Sequence, residues 1–159
     1  MEQVIFKIPS IGSVVIGNNV EIGANTAIDR GTIEDTVVGD NTKIDDLVMI
    51  GHNCRIGNGC MIVSQVGIAG SCVIGDRVVI AGQAGLADHL KIGNDSIIAA
   101  QSGVSKSFPE RSIVIGSPAV PRKEFIKQLK LMKDAAELVS KFKQYEPLLK
   151  TFLENHEEG

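Results

Sequence analysis

An all-β solenoid is the fold this sequence predicts: a left-handed parallel β-helix of six-residue repeats, followed by a C-terminal α-helical extension. Three observations carry that prediction. An aliphatic residue recurs every six positions. A small residue usually follows it. The large rings of an ordinary globular core are missing: aromatics make up 4% of the 159 residues and there is no Trp, whereas globular cores draw much of their buried area from rings. Gly, with 17 residues, and the aliphatics Ile and Val take their place. That mixture suits thin, regularly stacked layers.

The repeat runs through Ile16, Ile22 and Ile28. It resumes at Val38 and continues through Ile44, Ile50, Ile56, Ile62, Ile68, Ile74, Ile80, Leu86, Ile92, Ile98 and Val104, twelve positions without a slip. The next residue is small at Gly17, Gly39, Gly51, Gly57, Ala69, Gly75, Ala81 and Ala87. Four residues after the aliphatic stands a second compact side chain, such as Thr42, Val48, Cys54, Cys60, Cys72 or Ser96. A period of six reads as a parallel β-helix. The aliphatic points inward from each short strand, the small residue allows the turn, and three hexads close one triangular coil. Coils stack at the ~4.8 Å spacing of neighbouring strands. The unbroken hexads supply four coils and the N-terminal ones add one or two, enough for the neighbour-on-neighbour burial that stabilises solenoids.

The register breaks twice. The step is ten between Ile28 and Val38, across DRGTIEDT, and eleven between Val104 and Ile115, across SKSFPERS. Both are predicted to be loops on one face, where solenoids often carry function. The stack ends at GSPAVPRKEF, where Pro118 and Pro121 stop strand pairing and Pro121 can open a helix. Phe125, Leu129, Met132, Ala136 and Val139 then follow coiled-coil-like 4-3-4-3 spacing. Pro147 interrupts the pattern, which predicts one helix near 121–145 and a shorter one near 147–155. The chain thus divides into a β-helix core, 1–117, and a helical extension, 118–159, which caps the last coil and whose stripe suits self-association.

The net charge of −3 argues against nucleic acid as the main partner. The longest apolar runs fall far short of the ~20 residues that cross a bilayer. No charged leader followed by a long apolar segment opens the sequence, so a cytoplasmic protein without a membrane span is expected. Residues 122–143 carry seven Lys or Arg against three acidic residues. A solvated helix face accounts for them, and so does an acidic partner.

Cys54, Cys60 and Cys72 take the compact inward position of their hexads and read as core thiols. Their spacing is not that of a zinc site, and nothing points to an oxidising compartment. Of the three histidines, His156 falls in a charged tail and reads as solvated. His52, in IGHNCRIG, and His89 interrupt the coils. A histidine on a solenoid turn is often structural, but spacing argues for more here. Ile50 and Leu86 are thirty-six residues apart, two full coils. His52 and His89 therefore project near one edge of the prism, on the order of 10 Å apart. That separation suits two groups holding opposite ends of one substrate, not two ligands of one metal. A carbonic-anhydrase-type zinc site needs three converging histidines. Asp45 precedes His52 by one hexad plus one residue and is expected close to the same edge. There a carboxylate would fix the imidazole tautomer and raise its basicity. Asp46 is the adjacent alternative.

The run KIPSIGSVVIGNNVEIGANTAIDRGTIEDTVVGDNTKIDDLVMIGHN, then QVGIAGS, then GQAGLADHLKIG, resembles the UDP-3-O-acylglucosamine N-acyltransferases of lipid A biosynthesis over roughly residues 5 to 125. Hexads alone would indicate only the broad acyltransferase superfamily. AIDRGTIEDT and GHN, with a second histidine thirty-seven residues on, are far more specific. The resemblance implies transfer of a 3-hydroxyacyl chain from acyl carrier protein to the 2-amino group of a UDP-linked glucosamine. It implies His52 as general base, Asp45 as its orienting carboxylate, Gly70 as backbone donor to the thioester oxyanion, and His89 as a catalytic residue that helps bind the substrate and polarises the reaction centre. It also points to a homotrimer with sites in clefts between subunits, and to no cofactor beyond the acyl carrier protein co-substrate. The chemistry is consistent, since an ammonium cannot attack a carbonyl until a base takes its proton. The sequence departs from the family at Asp46 and Asp88, where Asn and Gly are usual. The family's uracil-gripping domain, which precedes the coils, is not among these residues, so weak uridine recognition is expected. Asp29 and Arg30 gain no chemical role, and a loop-shaping ion pair is the simplest account of them. Two other classes stay open: an acetyl-CoA-dependent amino-sugar N-acetyltransferase of the same fold, and a non-catalytic scaffold.

Overall fold

The computed structural model describes residues 9–154. His156 lies outside them. The chain divides into two compact units, Met1–Arg122 and Lys123–Gly159. In the first, strands of two or three residues wind round a three-sided prism and stack into three sheets. The first sheet holds Val14–Ile16, Thr36–Val38, Arg55–Ile56, Val73–Ile74 and Lys91–Ile92. The second holds Glu21–Ile22, Lys43–Ile44, Met61–Ile62, Val79–Ile80, Ile97–Ile98, Ile113–Ile115 and Val120–Pro121. The third holds Ala27–Ile28, Met49–Ile50, Gly67–Ile68, Gly85–Leu86 and Gly103–Val104. Through the unbroken hexads each strand pairs in parallel with the strand eighteen residues on, as in Val73 with Lys91, Ile80 with Ile98 and Leu86 with Val104.

The repeat's inward positions make the core. Ile50, Ile62, Ile80 and Ile98 are fully buried, and the compact corner residues Thr42, Val48, Cys54, Cys60, Cys72 and Ser96 are buried with them. The three thiols are free. Cys54, Cys60 and Cys72 donate to the carbonyls of Ala69, Gly75 and Ala87 one coil above. The regular corners turn because the third residue after the aliphatic is left-handed: φ is 60° at Asn41, 59° at Asn53, 58° at His89 and 58° at Asp95. Asn, Asp and His are enriched in that region.

The small residue after the aliphatic has a sharper cause than the turn itself. Along the edge between the first and second sheets, each coil's amide is capped by an Asx side chain of the coil above. Asn18 N–H donates to Asp40 Oδ1 at 2.6 Å, Asp40 N–H to Asn58 Oδ1 at 2.8 Å, Asn58 N–H to Asp76 Oδ1 at 2.8 Å, and Asp76 N–H to Asn94 Oδ1 at 2.9 Å. A Cβ on Gly57 would sit 2.6 Å from Asp76 Oδ1. Glycine there makes room for the cap.

The first register break is a loop, as its length predicts. Ile16 pairs with Val38, twenty-two residues on, and the excess forms the 29–35 segment. The second break is not an inserted loop. Phe108 bridges to Ile92 and is buried, and Val114 pairs with Ile98 and is fully buried. The inward series is therefore Val104, Phe108, Val114, a corner shortened to four residues followed by a normal step of six. A search restricted to aliphatic residues passes over the ring of Phe108 and misplaces the slot at Ile115.

Two expectations about the prolines also change. Val120–Pro121 pairs antiparallel with Ile113–Ile115, a terminal edge position where proline is tolerated, and the helix starts one residue later. A single helix, Arg122–Glu154, then runs through Pro147. Strong helix formers on both sides, including Lys143, Glu146, Leu148 and Lys150, offset the hydrogen bond that Pro147 cannot donate. The helix leaves Leu129, Met132 and Val139 of the stripe exposed, together with Leu131, Leu138 and Phe142. Among the described residues no helix is long and apolar enough to cross a membrane.

Candidate active site

The edge between the third and first sheets differs from the capped edge. Its columns run His52, Gly70, Asp88 and, beside them, Asn53, Ser71, His89. Ser71 N–H donates to His52 O at 2.8 Å and His89 N–H to Gly70 O at 3.0 Å. His52 and His89 thus stand two coils apart on one edge, as their spacing predicts. Both are exposed. The His89 side chain retains 74% of its accessible surface, with Nε2 3.7 Å from Asp88 Oδ2.

No side chain rises from Gly70 over His52, and the imidazole fills that space. A Cβ on Gly70 would sit 2.7 Å from both Cε1 and Nε2 of His52. The Gly70 N–H donates to no group among the described residues. On the capped edge the equivalent N–H groups of Asn18, Asp40, Asn58 and Asp76 are taken, whereas Gly70 presents an unpaired donor beside an imidazole nitrogen.

These residues border a groove of about 600 Å³ on the outer face of the third sheet. Met49, Gly67 and Gly85 form its floor, and Asp29, from the inserted loop, reaches it. A Cβ on Gly67 or Gly85 would meet nothing within 4 Å. Nothing in the coil requires glycine there; its effect is to keep the groove open.

Asp45 is not beside His52 within the chain. A hexad is one side of the prism, so one hexad plus one residue carries the chain to the next edge; an edge recurs only after three hexads. On its own edge, between the second and third sheets, Asp45 accepts from the Ser64 hydroxyl and, at 3.2 Å, from Ser64 N–H. The Ser64 hydroxyl, helped by Asp46 N–H, holds the Asp45 carboxyl below the usual carboxylate range. The folded state thus favours the ionised form. The contact is at full strength above the unfolded carboxyl pKa and is lost as pH falls through the lower folded value. Asp46 is no alternative, since its Oδ1 accepts from Ala24 N–H at 2.6 Å and ties two coils together.

The residue that does touch His52 is Asn53. His52 Nδ1 lies 2.9 Å from Asn53 Oδ1. Asn53 is held by the inserted loop: Thr32 N–H donates to its Oδ1 at 3.1 Å and its Nδ2 donates to Glu34 O at 2.9 Å. The expected Asp29–Arg30 ion pair does not form; the loop is tied down by Arg55 Nη2 on Glu34 Oε2 at 3.1 Å. The sequence held a signal for Asn53, the GHN triplet downstream of a register break, but spacing within one chain cannot show which loop folds over which coil.

The coils and their repeat define the class. Two segments, 35–70 and 71–106, match the bacterial transferase hexapeptide family (six repeats). Within that class the chain is a relative of the UDP-3-O-acylglucosamine N-acyltransferases. It is 45% identical over 145 residues to the one from Chlorobium chlorochromatii, covering 91% of this chain and 40% of that protein. The chain therefore spans well under half the length of the curated relatives it matches. Arabidopsis UDP-N-acetylglucosamine acyltransferase shares the fold with a TM-score of 0.68 and 32% identity, over 69% of this chain and 39% of that one. PerB from Caulobacter crescentus, solved with CoA and GDP-perosamine, aligns with a TM-score of 0.59 and 26% identity, over 71% of this chain and 58% of that one.

Proposed function

We propose that this chain is the acyl-transfer core of an N-acyltransferase of lipid A biosynthesis. It moves a 3-hydroxyacyl group from acyl carrier protein to the 2-amino group of a UDP-3-O-acylglucosamine. The observation that carries this reading is the placing of His52 Nε2 beside Gly70, whose N–H is unpaired, at the rim of a glycine-floored groove. The names of its relatives support the substrate class.

In this mechanism the His52 imidazole takes a proton from the substrate ammonium. The freed amine attacks the thioester carbonyl, and the oxyanion accepts from Gly70 N–H. The tetrahedral adduct gives up the second proton of its nitrogen to solvent and collapses, the C–S bond breaks, and the thiolate takes from His52 the proton the imidazole holds. No enzyme nucleophile is needed, and the cysteines stay structural: Cys54, Cys60 and Cys72 are buried, with their thiols bonded to carbonyls one coil above. His89, exposed two coils above, meets polar groups of the substrate. No cofactor takes part beyond the carrier-protein co-substrate. The basic stretch 122–143 offers charge of the sign an acidic carrier protein would meet.

The same reading includes a cytoplasmic homotrimer. The exposed stripe of the helix and the outward Met61, Ile97 and Ile113 of the second sheet support it. Asp45 can orient His52 only from another subunit, since its own chain holds it one edge away. Light scattering at micromolar concentration is expected to give three times the chain mass, and a stable monomer would end this part of the reading.

A second reading rests on the likeness to PerB and its CoA: an acetyl-CoA-dependent N-acetyltransferase of an amino sugar. Thioester consumption separates the two. With UDP-3-O-acylglucosamine as acceptor, 3-hydroxyacyl carrier protein is expected to be consumed and acetyl-CoA left intact. Use of acetyl-CoA alone favours the second reading, and use of neither donor favours a scaffold.

A further inference from the structure

We infer that Asn53 is a positioning residue that sets the tautomer of His52, and that the inserted loop 29–35 exists in part to hold it. The argument turns on which end of the Asn53 amide faces which partner. A backbone N–H can only donate and a carbonyl can only accept. Thr32 N–H lies against one end of the amide at 3.1 Å and Glu34 O against the other at 2.9 Å. The first end is therefore oxygen and the second is NH₂, whatever the imidazole does. That oxygen also faces His52 Nδ1 at 2.9 Å. A bare Nδ1 is itself an acceptor and cannot bond to an acceptor oxygen, so Nδ1 must carry the hydrogen. In neutral His52 this leaves the lone pair on Nε2, the nitrogen beside Gly70.

The anchoring is redundant. Asn53 N–H donates to the buried Thr36 Oγ1 at 2.8 Å, and its left-handed φ of 59° suits Asn. Backbone and side chain of Asn53 are thus fixed by the segment where the coil departs from its repeat. A free imidazole in water favours hydrogen on Nε2, which would turn the basic nitrogen away from the groove. The extra residues of the first coil correct this. The tautomer assignment stands on geometry alone; its consequence for rate rests on the reading of His52 as the base.

The test uses the full chain with ¹⁵N in its histidine rings, observed where imidazoles are neutral, with His52→Ala identifying the His52 signals. Wild-type His52 is expected to show a protonated Nδ1 and a bare Nε2. Asn53→Gly, which accepts the positive φ, is expected to lose that preference with its melting curve close to wild type. Asn53→Asp keeps an acceptor oxygen toward Nδ1 and is expected to restore the preference. In acyl transfer, Asn53→Gly is expected to lower kcat on the order of tenfold, a part of the ~10²–10⁴ that a general base contributes, with little change in KM. A wild-type His52 protonated on Nε2 overturns the inference. So does an unchanged kcat in an Asn53→Gly protein that has lost the tautomer. A wild type with the expected tautomer and no transfer from any donor overturns the proposed function and leaves the Asn53 assignment standing.

Discussion

Alanine at position 52 is expected to lower kcat for acyl transfer by ~10²–10⁴-fold, the contribution of a positioned general base, and to leave the coil stack as stable as before. The second half of that expectation follows from where the side chain sits. His52 is exposed and, among the described residues, its ring bonds only to Asn53, while the flanking Ile50 and Cys54 supply the buried contacts. The coil corner keeps its backbone bonds, because the His52 carbonyl still accepts from Ser71 N–H. The first half follows from the acceptor's chemistry. An amino sugar is largely protonated near neutral pH and cannot attack a thioester until the proton leaves. Steady-state turnover with acyl carrier protein, alongside far-UV circular dichroism and a melting curve, checks both halves. Near-normal turnover in a folded His52→Ala protein would sink the mechanism.

The periodic part of the molecule was legible in the sequence and the rest was not. A residue such as Ile62 or Cys60 faces the core because of its place in the hexad, so counting by six finds the sheets, the core and the shared edge of His52 and His89. Counting fails where the structure stops being periodic. Phe108 fills an inward slot with a ring after a shortened corner, and Pro147 sits inside a helix that carries past it. Asp45 was misplaced for a different reason. A hexad is one side of a triangle, so its neighbour in sequence lies round the corner, and the contact it makes is with Ser64. The GHN triplet marked Asn53 but not its role, which depends on a loop folding back across the coil and which no local pattern encodes.

Gly70→Ala tests the site from the other side, with an expected fall in kcat of ~10²-fold for a misplacement near 1 Å. The position carries no positive φ that glycine alone could adopt, so the added methyl puts little strain on the backbone. Its cost is local, because the new Cβ would lie 2.7 Å from His52 Cε1 and Nε2. The imidazole must swing aside, breaking its alignment with Asn53 and leaving the Gly70 N–H without a partner base. Alanine still has that N–H, so the oxyanion donor survives and the loss reports the position of His52. This makes a double-mutant cycle decisive. If the methyl acts by displacing the imidazole, Gly70→Ala costs ~10²-fold with His52 present and little in a His52→Ala background, since residues that act as a unit are strongly non-additive. If instead the methyl blocks the groove against substrate, both backgrounds lose the same factor and KM rises in each. Additive losses would separate Gly70 from His52 and leave the glycine as a wall of the groove.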